Sequence, residues 1–204
     1  MGKCIIVAAG ERCNLDFEKN GTDLLIAADA GLKYLMEDGF EADMVVGDFD
    51  TLKYVPEHPN VVRLQPEKDV TDTWEAVSQA IKLGYREFHI YCGLGGRFEH
   101  SVANVQLLSH LTENGMKGFL YDRLNIMTCI RNQEITFDET NKGFISVFSL
   151  SDKSEGVTIS GLKYEIHDHT LKSSFPLGVS NEFIGKPSKV KVENGLLLIV
   201  WAKQ

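Results

Sequence analysis

The chain has 204 residues, 43% of them hydrophobic and 25% charged, with 21 basic against 29 acidic side chains and a formal net charge of −8. That composition excludes a disordered or collagen-like chain. A chain of this size buries about 70% of its unfolded surface, enough for one large domain or two small ones without staples. No basic stripe is present to neutralise phosphates, so nucleic acid is not an expected partner. No apolar run approaches a membrane span, and Ile5 to Ala9 is too short for a secretory segment, so no membrane association is expected. Cys4, Cys13, Cys92 and Cys129 form no Cys-x-x-Cys or metal-like spacing, which points to a reduced, cytoplasmic protein.

In chain order, Lys3 to Ala9, Leu24 to Ala28, Met44 to Val46, Val61 to Leu64, Phe88 to Tyr91 and Phe119 to Tyr121 read as strands. Several are continuously apolar, as expected of parallel strands covered on both faces. Between them, Trp74, Val77 and Ile81 recur on one face of a helix, and Phe98, Val102, Val105 and Leu108 do the same on the next. After about Asn125 the texture changes to short strands: Asn125 to Ile130, Glu134 to Phe137, Phe144 to Leu150, Val157 to Ile159, Val190 to Val192 and Leu196 to Trp201. The last two flank Glu193-Asn194-Gly195, an Asn-Gly hairpin signal. The expected architecture is α/β: an N-terminal, mostly parallel sheet with flanking helices over residues 1–125, then an antiparallel β-sandwich over 126–204.

In an open α/β sheet, ligands bind outside the carboxyl ends of the strands. Those ends lead into Asp29-Ala30-Gly31, Gly47-Asp48-Phe49-Asp50-Thr51, Glu67-Lys68-Asp69-Val70-Thr71-Asp72 and Gly93-Leu94-Gly95-Gly96-Arg97-Phe98-Glu99-His100. Carboxylates from separate junctions should therefore gather on one edge. Taken singly, each junction has a plainer role. Asp29 fits a cap for a helix starting at Ala30, and Asp72 with Glu75 has the spacing of a capping box. Asp48 and Asp50, two residues apart in a tight turn, suit Mg²⁺ or, equally, an Asx-type turn. The glycine turn, with Lys68 and Arg97 as local positive charges, suits phosphates, although many such turns are only tight connections. His100 and Asn104 share a helix face that is either part of that site or ordinary polar surface. His167-Asp168-His169 cannot supply a closed tetrahedral metal site alone and reads as an exposed polar loop.

Together these motifs, with Gly161-Leu162-Lys163-Tyr164 and Val179-Ser180-Asn181-Glu182 further on, resemble those of the thiamin pyrophosphokinase family in order and spacing over most of the chain. The resemblance implies Mg²⁺-dependent transfer of a diphosphate group from ATP to the hydroxyl of thiamin, releasing AMP, by a homodimer with sites at its interface. It implies Asp48, Asp50, Asp72 and Arg97 as catalytic residues, with Glu99 joining the three aspartates around the metal. Asp29, Lys68, Asp69, Thr71, Gly95, Gly96, His100 and Asn104 would complete the nucleotide site. Ser180, Asn181 and Trp201 would hold thiamin, with Trp201 equally suited to the core. The family usually has Asp where this chain has Glu99, and Ser where it has Thr51. Two alternatives stay open: a non-catalytic thiamin or nucleotide sensor, and a Mg²⁺-dependent diphosphotransferase acting on another alcohol.

Overall fold

The apolar run after Lys3 becomes β1 (Cys4–Val7), and all four of its residues are buried. A strand with no polar face needs cover on both sides, and it has it. The computed structural model describes residues 2–65, 67 and 69–204. Its contacts divide the chain into two units, Met1–Leu108 with Met116–Arg123, and Ser109–Gly115 with Leu124–Gln204.

In the first unit β1 is followed by β2 (Leu24–Ala28), α1 (Gly31–Glu37), β3 (Met44–Gly47), β4 (Val61–Arg63), α2 (Asp72–Lys82), β5 (Glu87–Tyr91), α3 (Phe98–Glu113, its residues from Ser109 on belonging to the second unit) and β6 (Lys117–Tyr121). These six strands are parallel, in the order β6-β5-β1-β2-β3-β4. Alternate residues serve opposite faces. Ile5, Val7, Leu25, Ala27 and Val45 share a cluster with Leu32 and Leu35 of α1, while α2 packs on β1, β2 and β3. Full burial of a side chain such as Leu35 contributes about 2 kcal/mol.

The helices turn inward faces that share Val77 and Leu108 with those the spacing suggests but are rotated from them. In α2 the buried residues are Thr73, Ala76, Val77 and Ala80, small side chains that let the helix sit close to the sheet, while Trp74 is half-buried. In α3, Asn104, Leu107, Leu108 and Leu111 are buried, whereas Phe98 is 78% and Val102 42% exposed. Gly31 shows why α1 begins where it does: a Cβ there would run into the Val7 carbonyl of the neighbouring strand. Gly31→Ala is expected to destabilise the fold by about 1–3 kcal/mol. At about 2–4 °C per kcal/mol for a chain of this length, thermal unfolding followed by circular dichroism will show it.

The second unit contains β7 (Asn125–Arg131), β8 (Glu134–Phe137), β9 (Phe144–Ser149), β10 (Lys153–Ser160), β11 (Ile166–Lys172), β12 (Gly178–Glu182), β13 (Ser188–Lys191) and β14 (Leu196–Ala202). One antiparallel sheet runs β12-β9-β14-β7, the other β11-β10-β13-β8. Ile145, Val147, Leu197 and Ile199 of the first form one core with Phe137, Val157, Ile159, Leu171 and Val190 of the second, which makes the unit a sandwich.

Glu193-Asn194-Gly195 does not close a hairpin. β13 and β14 lie in different sheets, and the turn carries the chain from one to the other. Gly195 donates its N–H to Asn132 Oδ1 (2.8 Å), and a Cβ on it would meet Ser154. His167-Asp168-His169 lies not in a loop but in β11, an edge strand with register shifts, where all three are exposed. No helix among the described residues is long and apolar enough to cross a membrane.

Candidate active site

β1 lies between β2 and β5, so the strand order reverses there and opens a crevice at the carboxyl ends. The crevice is a cavity of about 880 Å³, lined by residues 8–11 after β1, Ala28 and Asp29 at the end of β2, Asp48, Asp50 and Thr51 after β3, residues 69–73 at the start of α2, and Gly93, Gly95, Gly96, Arg97, His100 and Asn104 after β5. Of the residues expected in the catalytic and nucleotide sites, only Glu99 and Lys68 are not among these. Lys68 lies outside the described residues.

Asp29 is not the cap of α1. That position is Ala30, and no side chain caps the helix. Asp29 instead sits on left-handed backbone (φ 46°) and donates its N–H to the Val46 carbonyl at 2.8 Å, which ties it to β3. Its side chain is buried, and its Oδ1 has no hydrogen-bond partner among the described residues. Burial raises its pKa, the Asp50 and Asp48 carboxylates push the same way, and hydrogen bonds from Thr51 and the Ala30 N–H oppose them.

The turn after β3 is anchored by Phe49, buried in the core on left-handed backbone (φ 64°), so that Asp48 and Asp50 on either side of it line the cavity. Asp48 Oδ1 accepts the Asp50 N–H at 3.2 Å, an Asx-type turn, and Asp50 Oδ1 accepts the Thr51 hydroxyl at 3.0 Å. Carboxylate oxygens of Asp29, Asp48 and Asp50 all lie within 4.8 Å of one another. The Asx turn and a cation-ready acidic group therefore coexist: the turn aims the carboxylates.

Thr71, not Asp72, caps α2, its hydroxyl accepting the Trp74 N–H at 3.2 Å. Asp72 is thus the first helical residue, and Glu75, expected to complete a capping box, accepts from Gln79 Nε2 at 2.6 Å instead. After β5, Gly95 (φ 78°) and Gly96 (φ 64°) adopt conformations that side chains strain, and Gly95 donates its N–H to Ser101 Oγ at 3.2 Å. Buried Asn104 holds the turn from beneath, Nδ2 to the Gly93 carbonyl at 2.5 Å. Glu99 lies apart from the acidic group and accepts from Arg97 Nε at 2.7 Å. Its pKa is lowered by its own backbone N–H and by Arg97.

In the second unit, Ser180 is exposed on left-handed backbone (φ 59°), its N–H donated to Ser146 Oγ at 3.0 Å. Asn181 is buried, and its amide is engaged by backbone: Oδ1 accepts the Tyr164 and Glu182 N–H groups at 2.9 Å, and Nδ2 donates to the Tyr164 carbonyl at 2.6 Å. Trp201 is half-buried and packs edge-on against Phe137, with ring centroids 5.4 Å apart. Sequence reasoning missed Gly10 and Glu11. They follow β1, whose carboxyl end forms the switch point, and the rule used for the other strands would have found them.

Two family models match the chain: thiamin pyrophosphokinase, catalytic domain, over residues 17–120, and thiamin pyrophosphokinase, vitamin B1 binding domain, over residues 132–197. A thiamine pyrophosphokinase of Bacillus subtilis is 28% identical over 209 residues, covering 97% of this chain and 98% of the relative. A crystal structure of Bacillus subtilis thiamine pyrophosphokinase superimposes with a TM-score of 0.88 at 25% identity, covering 99% of each chain. The Candida albicans enzyme shares the fold, with a TM-score of 0.82 at 15% identity over 99% of this chain and 89% of that one. With both of the family's domain models matched in order along it, the chain belongs to the thiamin pyrophosphokinase family, enzymes that form thiamin diphosphate from thiamin at the expense of ATP.

Proposed function

We propose that Asp29, Asp48 and Asp50 hold Mg²⁺ beside the triphosphate of ATP in the first unit, and that the second unit binds thiamin. The observation that carries the cation assignment is the buried Asp29 Oδ1, an acceptor with no hydrogen-bond partner among the described residues, in a group of carboxylates. An all-oxygen, anionic donor set suits a hard divalent ion. Bound there, the ion offsets negative charge on the phosphate oxygens.

The chain's own residues do the rest. Gly95 and Gly96 carry no side chains, so phosphates can approach the backbone of the turn, and Asn104 keeps that turn in place. Arg97, whose pairing with Glu99 is exposed and so weak, exchanges Glu99 for phosphate oxygens. The thiamin hydroxyl attacks the β-phosphorus in line as the bond to the α-phosphoryl oxygen breaks and AMP leaves. Asp72, at the start of α2 and lining the cavity, takes the hydroxyl proton, with Asp69 beside it. Ser180 holds the pyrimidine, and Asn181, its amide tied to the Tyr164 backbone, fixes the strand that presents it. Trp201 serves the core, as its packing on Phe137 indicates.

The enzyme works as a cytoplasmic homodimer with its sites at the interface. Exposed Phe98 and Val102 on one face of α3, and, separately, exposed Phe144, Tyr164 and Phe175 in the second unit, are apolar side chains that support contact with a second copy. Sedimentation equilibrium tests that state.

The decisive assay incubates the purified protein with ATP, thiamin and Mg²⁺ and separates the products. AMP and thiamin diphosphate in equal amounts are expected, with loss of turnover on adding EDTA. ADP with thiamin monophosphate would mean transfer of a single phosphoryl group. Tight binding without AMP release would favour the sensor. Turnover that survives the chelator would remove the cation from the site.

A further inference from the structure

The cavity's two glycine-bearing turns are backed by a pair of cysteines that the transfer reaction does not use. Cys13 Sγ and Cys92 Sγ are 3.3 Å apart, both residues are buried, and neither is in a disulfide. The Cys13 N–H also donates to Cys92 Sγ at 3.3 Å, and the Cys13 thiol points to the Tyr121 carbonyl at 3.7 Å. Cys92 sits on left-handed backbone (φ 55°), an unusual conformation for a side chain other than glycine or asparagine. Each cysteine adjoins cavity-lining chain: Cys92 precedes Gly93, and Cys13 lies two residues beyond Glu11. The two segments are already laced together, with the Gly10 N–H on the Cys92 carbonyl at 2.8 Å and the Glu11 N–H on the Leu94 carbonyl at 2.7 Å.

We propose that Cys13 and Cys92 form an oxidisable dithiol whose disulfide draws these two turns together and slows diphosphate transfer. A disulfide needs its sulfurs about 2.05 Å apart, so closure requires a shift of about 1.2 Å shared between the segments. Displacements of about 1 Å in a group that positions a reacting substrate are enough to cost turnover heavily. The oxidant is a peroxide, small enough to reach a buried pair. The Cys92 thiolate attacks one peroxide oxygen, the O–O bond breaks, and a sulfenic acid forms with release of water after protonation. The Cys13 thiolate then attacks the Cys92 sulfur, displacing the sulfenic oxygen as a second water. Two thiols are oxidised and one peroxide is reduced to two waters. The Cys13 thiol and burial both push the Cys92 thiol up, so the step is slow at neutral pH and quickens as pH rises.

The test treats the intact, active protein with excess hydrogen peroxide and follows intact mass, free thiols after denaturation, tryptic peptides and activity. The expected product has lost two hydrogens and two of its four thiols. Its tryptic peptides 13–19 and 87–97 are cross-linked. Its kcat/KM for ATP falls about tenfold or more and returns on adding dithiothreitol. Cys13→Ser and Cys13→Ala both remove the partner, and whichever variant keeps the untreated wild-type rate should keep it through the same peroxide exposure as well. Oxygen additions without a cross-link would overturn the proposal, as would a cross-linked protein of unchanged activity. Cys4 and Cys129, buried elsewhere, serve as internal controls for nonspecific oxidation.

Discussion

Asp48→Asn is expected to lower kcat about 10³-fold, roughly 4 kcal/mol in the barrier, while leaving the fold in place. The substitution is nearly isosteric, and Asn keeps the Oδ1 that accepts the Asp50 N–H, so the turn after β3 retains its internal bond. Phe49 remains anchored in the core between the two acidic positions. What is lost is one negative charge from the group of three carboxylates proposed to hold the cation. Steady-state kinetics with saturating ATP and thiamin over a Mg²⁺ titration, beside a thermal melt, separates the two effects. A variant that melts like the parent and turns over normally would remove Asp48 from the chemistry. Partial rescue at high Mg²⁺ would locate the defect in cation affinity.

Much of the first unit was legible because the physics that builds a parallel sheet also writes a strong pattern. Runs such as Ile5 to Val7 and Leu25 to Ala28 are apolar throughout because helices cover both faces, and the turns after them collect where ligands bind. The faces of α2 and α3 were less legible. Spacing marks where large apolar residues recur, but Thr73, Ala76 and Ala80 are buried because they are small, and Phe98 and Val102 stay outside despite their size. In the second unit β11 and β12 left no alternation to read. Both are edge strands, β11 nearly all exposed and polar through His167-Asp168-His169, β12 short and interrupted by a register shift. The Asn-Gly signal misled for a related reason: local turn chemistry is the same whether the chain folds back on one sheet or crosses to the other, and the choice rests on which core Val192 and Leu197 must both reach.

For the site, the acidic junctions could be read from sequence, but their division of labour could not. Thr71 and Asp72 are adjacent, and only the backbone decides that the first caps α2 and the second faces the cavity as its opening residue. Glu99 stands where the family usually has Asp, one methylene longer, yet it turns to Arg97, and the acidic group is completed by Asp29. Asp29's own role was hidden by a plausible cap. Its left-handed backbone and its bond to Val46 are tertiary facts, set by β3 rather than by the residues on either side.

Asp29→Asn should therefore move stability and activity in opposite directions. The parent buries a carboxylate with one oxygen unpartnered among the described residues, and burial first, with two like charges nearby, raises its pKa. A carboxyl whose pKa is higher folded than unfolded costs stability when ionised. The cost is present in full above the raised value and disappears as pH falls through it toward the ordinary 3.8. Replacing it with the neutral amide removes that cost, and the new N–H donors find acceptors in Asp48 and Asp50. A gain of about 1–2 kcal/mol is expected at neutral pH, about 2–4 °C in Tm per kcal/mol, shrinking to nothing in acid. Turnover should fall about 10³-fold, because the amide removes the charge around which the cation is held. Adding Mg²⁺ reverses the ranking: the parent gains stability by binding the ion and the variant does not. Melting both proteins with and without Mg²⁺ at neutral and acid pH reads all of these changes. A variant less stable than its parent without the ion would show that Asp29 is a structural anchor, and a destabilised acidic group held ready for a cation would no longer describe this site.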